Sequence, residues 1–139
     1  MGRGRGVDHT GRSKRSEPFV KLPVWIMETD EYRGMGCVAQ AMLVQLIRRH
    51  RHPSHSRPGN NGRIAAGDRA LAGDMGVSKN TVTRAKQALL SSGLVEVGAP
   101  AVYERARKLA TEYRLAWLSC DRTGALPSFK PEGRARAPP

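Results

Sequence analysis

The polar side chains of segment 78–92 are of the types that can read the edges of DNA bases. Its apolar residues recur at helical spacing and would form the inward stripe of an α-helix: Val82, Ala85 and Leu89. The opposite face would carry Asn80, Thr83, Arg84 and Gln87. Asparagine and glutamine can bond adenine through two hydrogen bonds, arginine can bond guanine, and threonine can meet a polar edge or a thymine methyl. The segment therefore has the composition of a helix that enters a major groove.

The start of the same segment has the residues expected at a phosphate-binding helix N-terminus. Ser78 is predicted to cap the helix, because its hydroxyl can accept from an unpaired backbone N–H. With Lys79 and Thr81 it forms a polar first turn, where a phosphate also gains from the helix dipole. From 78 to 92 there are three basic residues and no acid. A plain amphipathic helix with an uncommitted outer face stays open as the alternative.

The neighbouring sequence predicts the elements that would position this helix. Apolar periodicity predicts a helix over 36–50, a short strand over 64–66 and a two-turn helix over 68–75. Gly76 and Val77 form a tight connection to the helix over 79–92, which should stop at Gly93. Alternating residues predict strands over 94–97 and 112–118 that pair with each other. Two short helices joined by a tight glycine-containing turn are typical of a helix-turn-helix.

The stretch between the two predicted strands is expected to act as a basic loop. It covers 98–111 and carries Arg105, Arg107 and Lys108. Positive side chains on such a loop are suited to contact phosphates of a DNA backbone. This loop, the tight turn and the preceding short helix together favour DNA binding over the plain amphipathic helix.

The charge balance points to a polyanionic partner. The chain has 139 residues and a formal net charge of +12, and most of the excess lies between 19 and 120, where a core can form. The flanks are rich in Gly, Arg, Ser and Pro and lack apolar periodicity, so 1–18 and 123–139 are predicted to be disordered basic tails. The remaining 19–122 is expected to be one domain.

Other chemistries are weakly represented. The two cysteines, Cys37 and Cys120, have no zinc-finger spacing. His50, His52 and His55 could hold a metal, but their turn-rich setting favours a basic loop. The Gly-rich stretch 34–39 lacks the preceding strand and following acid of a dinucleotide site. We therefore expect no enzyme activity, cofactor or metal. Without a signal peptide or a membrane-length apolar run, the sequence also predicts a cytoplasmic, nucleoid-associated protein without a membrane partner.

The sequence resembles winged helix-turn-helix regulators of the GntR and MarR type over 67–97. The matching pieces are Leu71-Ala72, Gly76-Val77-Ser78, Thr81-Val82, Arg84-Ala85, Leu89 and Gly93-Leu94-Val95. It is also similar to small helix-turn-helix proteins of alphaproteobacterial genomes and mobile elements, through Asn60–Arg63 and Ala110–Leu118. The resemblance implies that Ser78–Arg84 reads the major groove and that the loop over 98–111 acts as a wing.

The sequence therefore predicts an α+β, mainly helical, winged helix-turn-helix fold: a three-helix core plus a β-hairpin wing, with disordered basic tails. The expected function is sequence-specific binding of double-stranded DNA, with a role in transcription regulation. GntR proteins add a ligand-binding domain and MarR proteins add long dimerisation helices, for which 139 residues leave no room. We therefore expect a monomer, or a homodimer that is weak or induced by DNA. Three alternatives stay open: an initiator of replication or transfer at repeated sites on a mobile element, an RNA-binding protein, or a module that docks a protein partner.

Overall fold

The computed structural model describes residues 18–99, 102–104 and 107–129. In this part of the chain the fold is α+β, with the helices mostly in the first two thirds and the strands mostly in the last third. The helices are α1 (Val24–Met27), α2 (Asp30–Gly34), α3 (Cys37–Arg49), α4 (Asp68–Met75) and α5 (Lys79–Ser91). The strands are β1 (Ile64–Ala65), β2 (Val95–Ala99), β3 (Val102–Glu104), β4 (Arg107–Leu109) and β5 (Glu112–Leu115).

Helices α3, α4 and α5 pack on one another and form the centre of the core. Their buried apolar residues recur every three or four positions, which gives each helix one inward face. The three helices predicted from periodicity are confirmed, with bounds that differ by at most one residue at either end. The fully buried side chains of this group include Met42, Leu43, Leu46, Leu71, Val82 and Leu89.

A three-stranded antiparallel sheet covers one side of the helices, in the order β1-β5-β2. Ile64 pairs with Tyr113 and Val95 pairs with Leu115, so the predicted pairing of the two longer strands is confirmed. A β-bulge interrupts β2 between Val97 and Ala99. The residue in the bulge is Gly98, where a Cβ would lie 2.2 Å from the carbonyl oxygen of Gly62. Only glycine allows the two backbones to approach this closely.

The structure differs from the sequence prediction mainly in two regions, 98–111 and 112–118. The predicted strand over 112–118 ends at Leu115, because the N–H of Leu118 turns back to donate to the Leu115 carbonyl at 3.3 Å. The stretch 98–111, predicted as a loop, contains the antiparallel pair β3–β4, in which Tyr103 is opposite Lys108. Along the chain, this pair lies between β2 and β5. Those two strands are neighbours in the three-stranded sheet.

Asn61 fastens the middle of the chain to the segment after β5. Its side chain is fully buried, and its amide donates to the carbonyl oxygens of Leu115 (3.0 Å) and Ser119 (2.9 Å). Its Oδ1 accepts from the N–H of Leu115 at 2.7 Å. Its backbone N–H donates to the Asp121 carboxylate at 2.9 Å. Every side-chain hydrogen-bonding group of this buried amide is thus occupied, as burial requires.

Residues 123–129 pack on the domain, although their composition placed them in the predicted disordered tail. The N–H groups of Ser128 and Phe129 donate to the Ala116 carbonyl at 2.9 and 3.0 Å. The Phe129 ring lies 6.2 Å from the Trp25 ring, centroid to centroid. These backbone hydrogen bonds and the Trp25 contact attach the end of the segment to the domain, although residues 123–128 are themselves exposed. The tail positions 1–17 and 130–139 lie outside the described residues.

None of the helices in the described ranges is both long and apolar enough to cross a bilayer.

Candidate nucleic-acid interface

The connection between α4 and α5 is short and is set by three local signals. Gly76 adopts a left-handed conformation (φ 69°), which ends α4 at little cost because glycine has no Cβ. The N–H of Val77 then donates to the Ala72 carbonyl at 3.1 Å. Ser78 caps α5 by accepting from the N–H of Thr81 at 3.2 Å. The tight turn and the cap predicted from the sequence are both confirmed.

Helix α5 buries one face and exposes the other. Val82 and Leu89 are fully buried and Ala85 is 5% exposed. The side chains predicted to meet bases lie together on the exposed side of the helix: Lys79, Asn80, Thr83, Arg84 and Gln87. Within the described ranges, the side chains of Asn80, Arg84 and Gln87 have no hydrogen-bond or ion-pair partner. Their donors and acceptors are therefore available to a ligand.

The hydroxyl groups at the cap and in the first turns of α5 differ in how much of their hydrogen-bonding capacity is already used within the helix. Ser78 and Thr81 share a hydrogen bond of 2.9 Å at the cap, so both are partly committed to the helix start. Thr83 donates back to the Lys79 carbonyl at 3.1 Å, which uses its hydroxyl hydrogen. Thr83 can therefore meet a base through its methyl group or its oxygen lone pairs, but not as a hydrogen donor in this rotamer.

Lys86 belongs to the support of α5 and not to its exposed face. Its ammonium lies 3.0 Å from the Asp68 carboxylate at the start of α4. Burial opposes the charge on Lys86, but the hydrogen bond to Asp68 and the interactions with the Tyr113 and Asp68 charges together outweigh it and keep the pKa of Lys86 above its usual value. Burial also opposes the charged form of Tyr113, which lies close by on β5, and so raises the pKa of its hydroxyl. Lys86 thus links α5 to α4 near the sheet, a role that sequence reasoning missed.

A second ion pair holds the other end of α4. Arg49, the last residue of α3, bonds the Asp74 carboxylate. Both carboxylates of α4 are thereby paired with a cation from a neighbouring helix. The cations on α4 and α5 that keep no acidic partner in the described part of the chain are Arg69, Lys79 and Arg84.

The basic residues predicted on the wing are described only in part. Arg107 and Lys108 lie on β4, and their positions are known through the backbone pairing with β3. Arg105 lies outside the described residues. In the chain, β3 and β4 follow β2 and precede β5.

The three histidines at 50, 52 and 55 do not come together as a group of potential metal ligands in the described ranges. No group of three His, Cys, Asp or Glu side chains in the described ranges is placed to hold an ion. The rings of His50 and His52 meet edge to face, 4.4 Å apart between centroids. Burial, and then the charge of His52, hold the pKa of His50 below its usual value, while Asp121 opposes this.

The lowered pKa of His50 predicts a loss of stability in mild acid. The folded protein binds this proton less readily than the unfolded chain, so stability from this group is complete above the unfolded pKa, near 6.5, and falls as the pH drops below it. We expect the free energy of unfolding to decrease between about pH 7.5 and pH 5. Denaturant unfolding of His50→Gln should show a flatter dependence, and an unchanged slope would contradict this assignment.

Searches against protein-family models, curated proteins and solved structures found no match to this chain.

Proposed function

We propose that this protein is a winged helix-turn-helix protein that binds double-stranded DNA at specific sequences and regulates transcription. The observation that carries the proposal is the exposed face of α5. It brings Asn80, Arg84 and Gln87 together, and none of their side chains has a partner in the described part of the chain. In the proposed complex α5 enters the major groove, Arg84 bonds a guanine, and the two amides bond adenines.

The start of α5 would fix the protein on the DNA backbone. The backbone N–H groups of Lys79 and Asn80 lie in the first turn, where no intrahelical acceptor exists. No acid occupies that turn, so a phosphate would meet only the helix dipole and the Lys79 ammonium. The Ser78 cap supports this arrangement by fixing the direction in which α5 starts.

The ion pairs behind the helix favour the same function. Asp68 and Asp74 would repel a phosphate backbone if they were free, but Lys86 and Arg49 neutralise them. The α4–α5 unit therefore presents positive charge at Arg69, Lys79 and Arg84, which pair with no acid among the residues that the structure describes. Such a surface attracts a polyanion and fixes its register, while the uncharged amides supply base selectivity.

The β3–β4 hairpin is the proposed wing. Its three basic residues, at 105, 107 and 108, would contact phosphates or the minor groove beside the groove that α5 occupies. The hairpin leaves from paired strands of the central sheet, which connects the wing to the helical core. We expect the affinity to fall steeply as salt is raised, because each neutralised phosphate releases a counterion.

Selection of bound duplexes from a random DNA library tests the proposal. At about 150 mM salt, with structured RNA as a competitor, a specific reader should enrich one sequence motif. Repeats of that motif next to an origin would favour a replication or transfer initiator over a regulator. Absence of enrichment, or preferential capture of the RNA, would contradict the proposal.

Two alanine variants should separate base reading from backbone binding. Arg84→Ala is expected to relax discrimination at one base position by about 1–3 kcal/mol. Lys108→Ala should weaken all sequences alike and reduce the salt slope by about one. Binding of single-base variants of the selected site, measured at several salt concentrations, checks both. A uniform loss from Arg84→Ala, or an altered preference from Lys108→Ala, would contradict the assigned roles.

A further inference from the structure

A groove of about 750 Å³ opens on a part of the surface that the proposed DNA site does not use. Its walls come from the segment 18–25, from the end of α3, and from the end of β5 with the turn that follows it. No residue of α4 or α5 lines it. A ligand could therefore occupy the groove whether or not α5 is bound to DNA, and the inference does not depend on the proposed function.

The interior of the groove is apolar and rich in aromatic side chains. Trp25 and Trp117 line it, above the largely buried Ile47 and Leu115. Phe19 lies at its edge with 80% of its surface exposed. Exposure of a large aromatic ring to water is unfavourable, and an apolar side chain from a partner would remove that cost.

The polar residues that line the groove are basic or neutral. Lys21, Arg48, His50 and His52 contribute to its lining, and no carboxylate does so among the described residues. The guanidinium of Arg48 bonds only the neutral side chain of Gln45, at 3.4 Å, in this part of the chain. The positive charge of Lys21 and Arg48 is thus not balanced by an acid. An occupant that combines carboxylates with an apolar side chain would match both the rim and the interior.

We propose that this groove is a docking site for an acidic segment of another protein, which places a large apolar side chain against the two tryptophans and carboxylates against Lys21 and Arg48. A protein partner of this kind gives the molecule a second binding surface, separate from α5. The apolar contact would supply most of the affinity, and the charges would supply selectivity for acidic sequences.

Charge and ring exposure argue against the other occupants. A second copy carries the same net charge of +12 and the same basic rim, so two grooves facing each other would repel. The ends of this chain, 1–17 and 130–139, are themselves basic in sequence and contain no aromatic residue. Single-stranded nucleic acid needs open ring faces for stacking. Stacking of successive bases needs several such faces, whereas Trp25 and Trp117 are partly buried, Trp25 against Phe129 at a centroid distance of 6.2 Å, and Phe19 alone is open.

The two tryptophans provide a direct test, because they are the only two in the sequence and both line the groove. The probes are a panel of short synthetic peptides without tryptophan, in which leucine or phenylalanine anchors are set among glutamates. One matched control replaces the anchors by alanine, and another replaces the glutamates by lysine. Full-length protein is titrated at about 150 mM salt, where long-range attraction is screened. Tryptophan emission and the two indole N–H resonances report binding.

We expect saturable shifts of both indole signals with the anchored acidic peptides alone. Arg48→Glu should weaken their binding about tenfold, since it puts like charge at the rim. Arg33→Glu changes the net charge equally, at an exposed position on α2 that does not line the groove, and should change binding by less than about twofold.

Four results would overturn the proposal. The first is failure of every peptide in the panel to shift the indole signals. The second is equal binding of the alanine-anchored control, which would reduce the effect to general charge attraction. The third is a saturable shift with oligothymidine that displaces the peptides, which would make the groove a single-strand site. The fourth is a shift that depends only on protein concentration, which would indicate a second copy.

Discussion

Reversal of the charge on Arg84 is expected to weaken specific DNA binding about a hundredfold at physiological salt. Arg84 is exposed on α5 with no partner in the described part of the chain, so it is free to bond a base. Arg84→Glu removes that bond and adds repulsion from nearby phosphates. Loss of a bidentate base contact costs about 1–3 kcal/mol, and repulsion adds to it. Titration of a labelled duplex that carries the selected site measures the effect.

The matched control for this variant is Arg33→Glu. Arg33 is also exposed, lies in the last turn of α2, and changes the net charge by the same amount. We expect it to lower affinity by no more than a few fold, through the weaker field of the whole molecule. Both variants should unfold at the same denaturant concentration as the parent, because neither side chain is buried. Equal losses from the two substitutions would mean that α5 does not face DNA.

Removal of the Asn61 side chain is expected to have the largest effect on stability. Asn61→Ala leaves the buried N–H of Leu115 without its partner, and it removes one donor each from the carbonyls of Leu115 and Ser119. Each buried, unsatisfied group costs about 1–3 kcal/mol. A loss of about 2–3 kcal/mol would remove a large part of the 5–15 kcal/mol typical of a domain. Urea unfolding followed by far-ultraviolet circular dichroism measures this free energy.

Asn80→Ala is a suitable control, because it deletes the same side chain from an exposed helical position. It should leave stability within about 0.5 kcal/mol of the parent. The same variant is expected to weaken DNA binding. Asn80→Ala should therefore lower affinity without lowering stability, whereas Asn61→Ala should lower stability. If Asn61→Ala unfolded at the same urea concentration as the parent, the buried hydrogen bonds would not stabilise the fold as described.

The elements predicted well from the sequence are those fixed by nearby residues. The end of α4, the turn and the start of α5 depend on Gly76, Val77 and Ser78, whose conformations follow from local sterics and capping. The exposed and buried faces of α5 follow from helical periodicity alone. For these reasons the amino-acid sequence is sufficient to predict the candidate base-reading face residue by residue.

The features that sequence reasoning missed depend on partners distant along the chain. Asn61 lies in a sequence typical of a turn, and the partners of its side chain lie 54 and 58 positions later. Lys86 counts as free positive charge in the sequence, whereas in the fold it lies beside Asp68. The β3–β4 strands are only three residues each, too short for alternation to stand out. The groove with Trp25 and Trp117 joins segments that no local pattern connects.

The bonds of Asn61 also constrain the order in which a nascent chain can complete its fold. Helices α3, α4 and α5 contact one another within the first two thirds of the sequence, so they can associate while the rest is still being synthesised. The side-chain amide and the backbone N–H of Asn61, however, cannot both be satisfied until Ser119 and Asp121 have emerged from the ribosome. Until then β1 is an unpaired strand edge and the helical core lacks its sheet. Until residues 112–121 have been synthesised, the helical core therefore stays exposed to proteases and to aggregation.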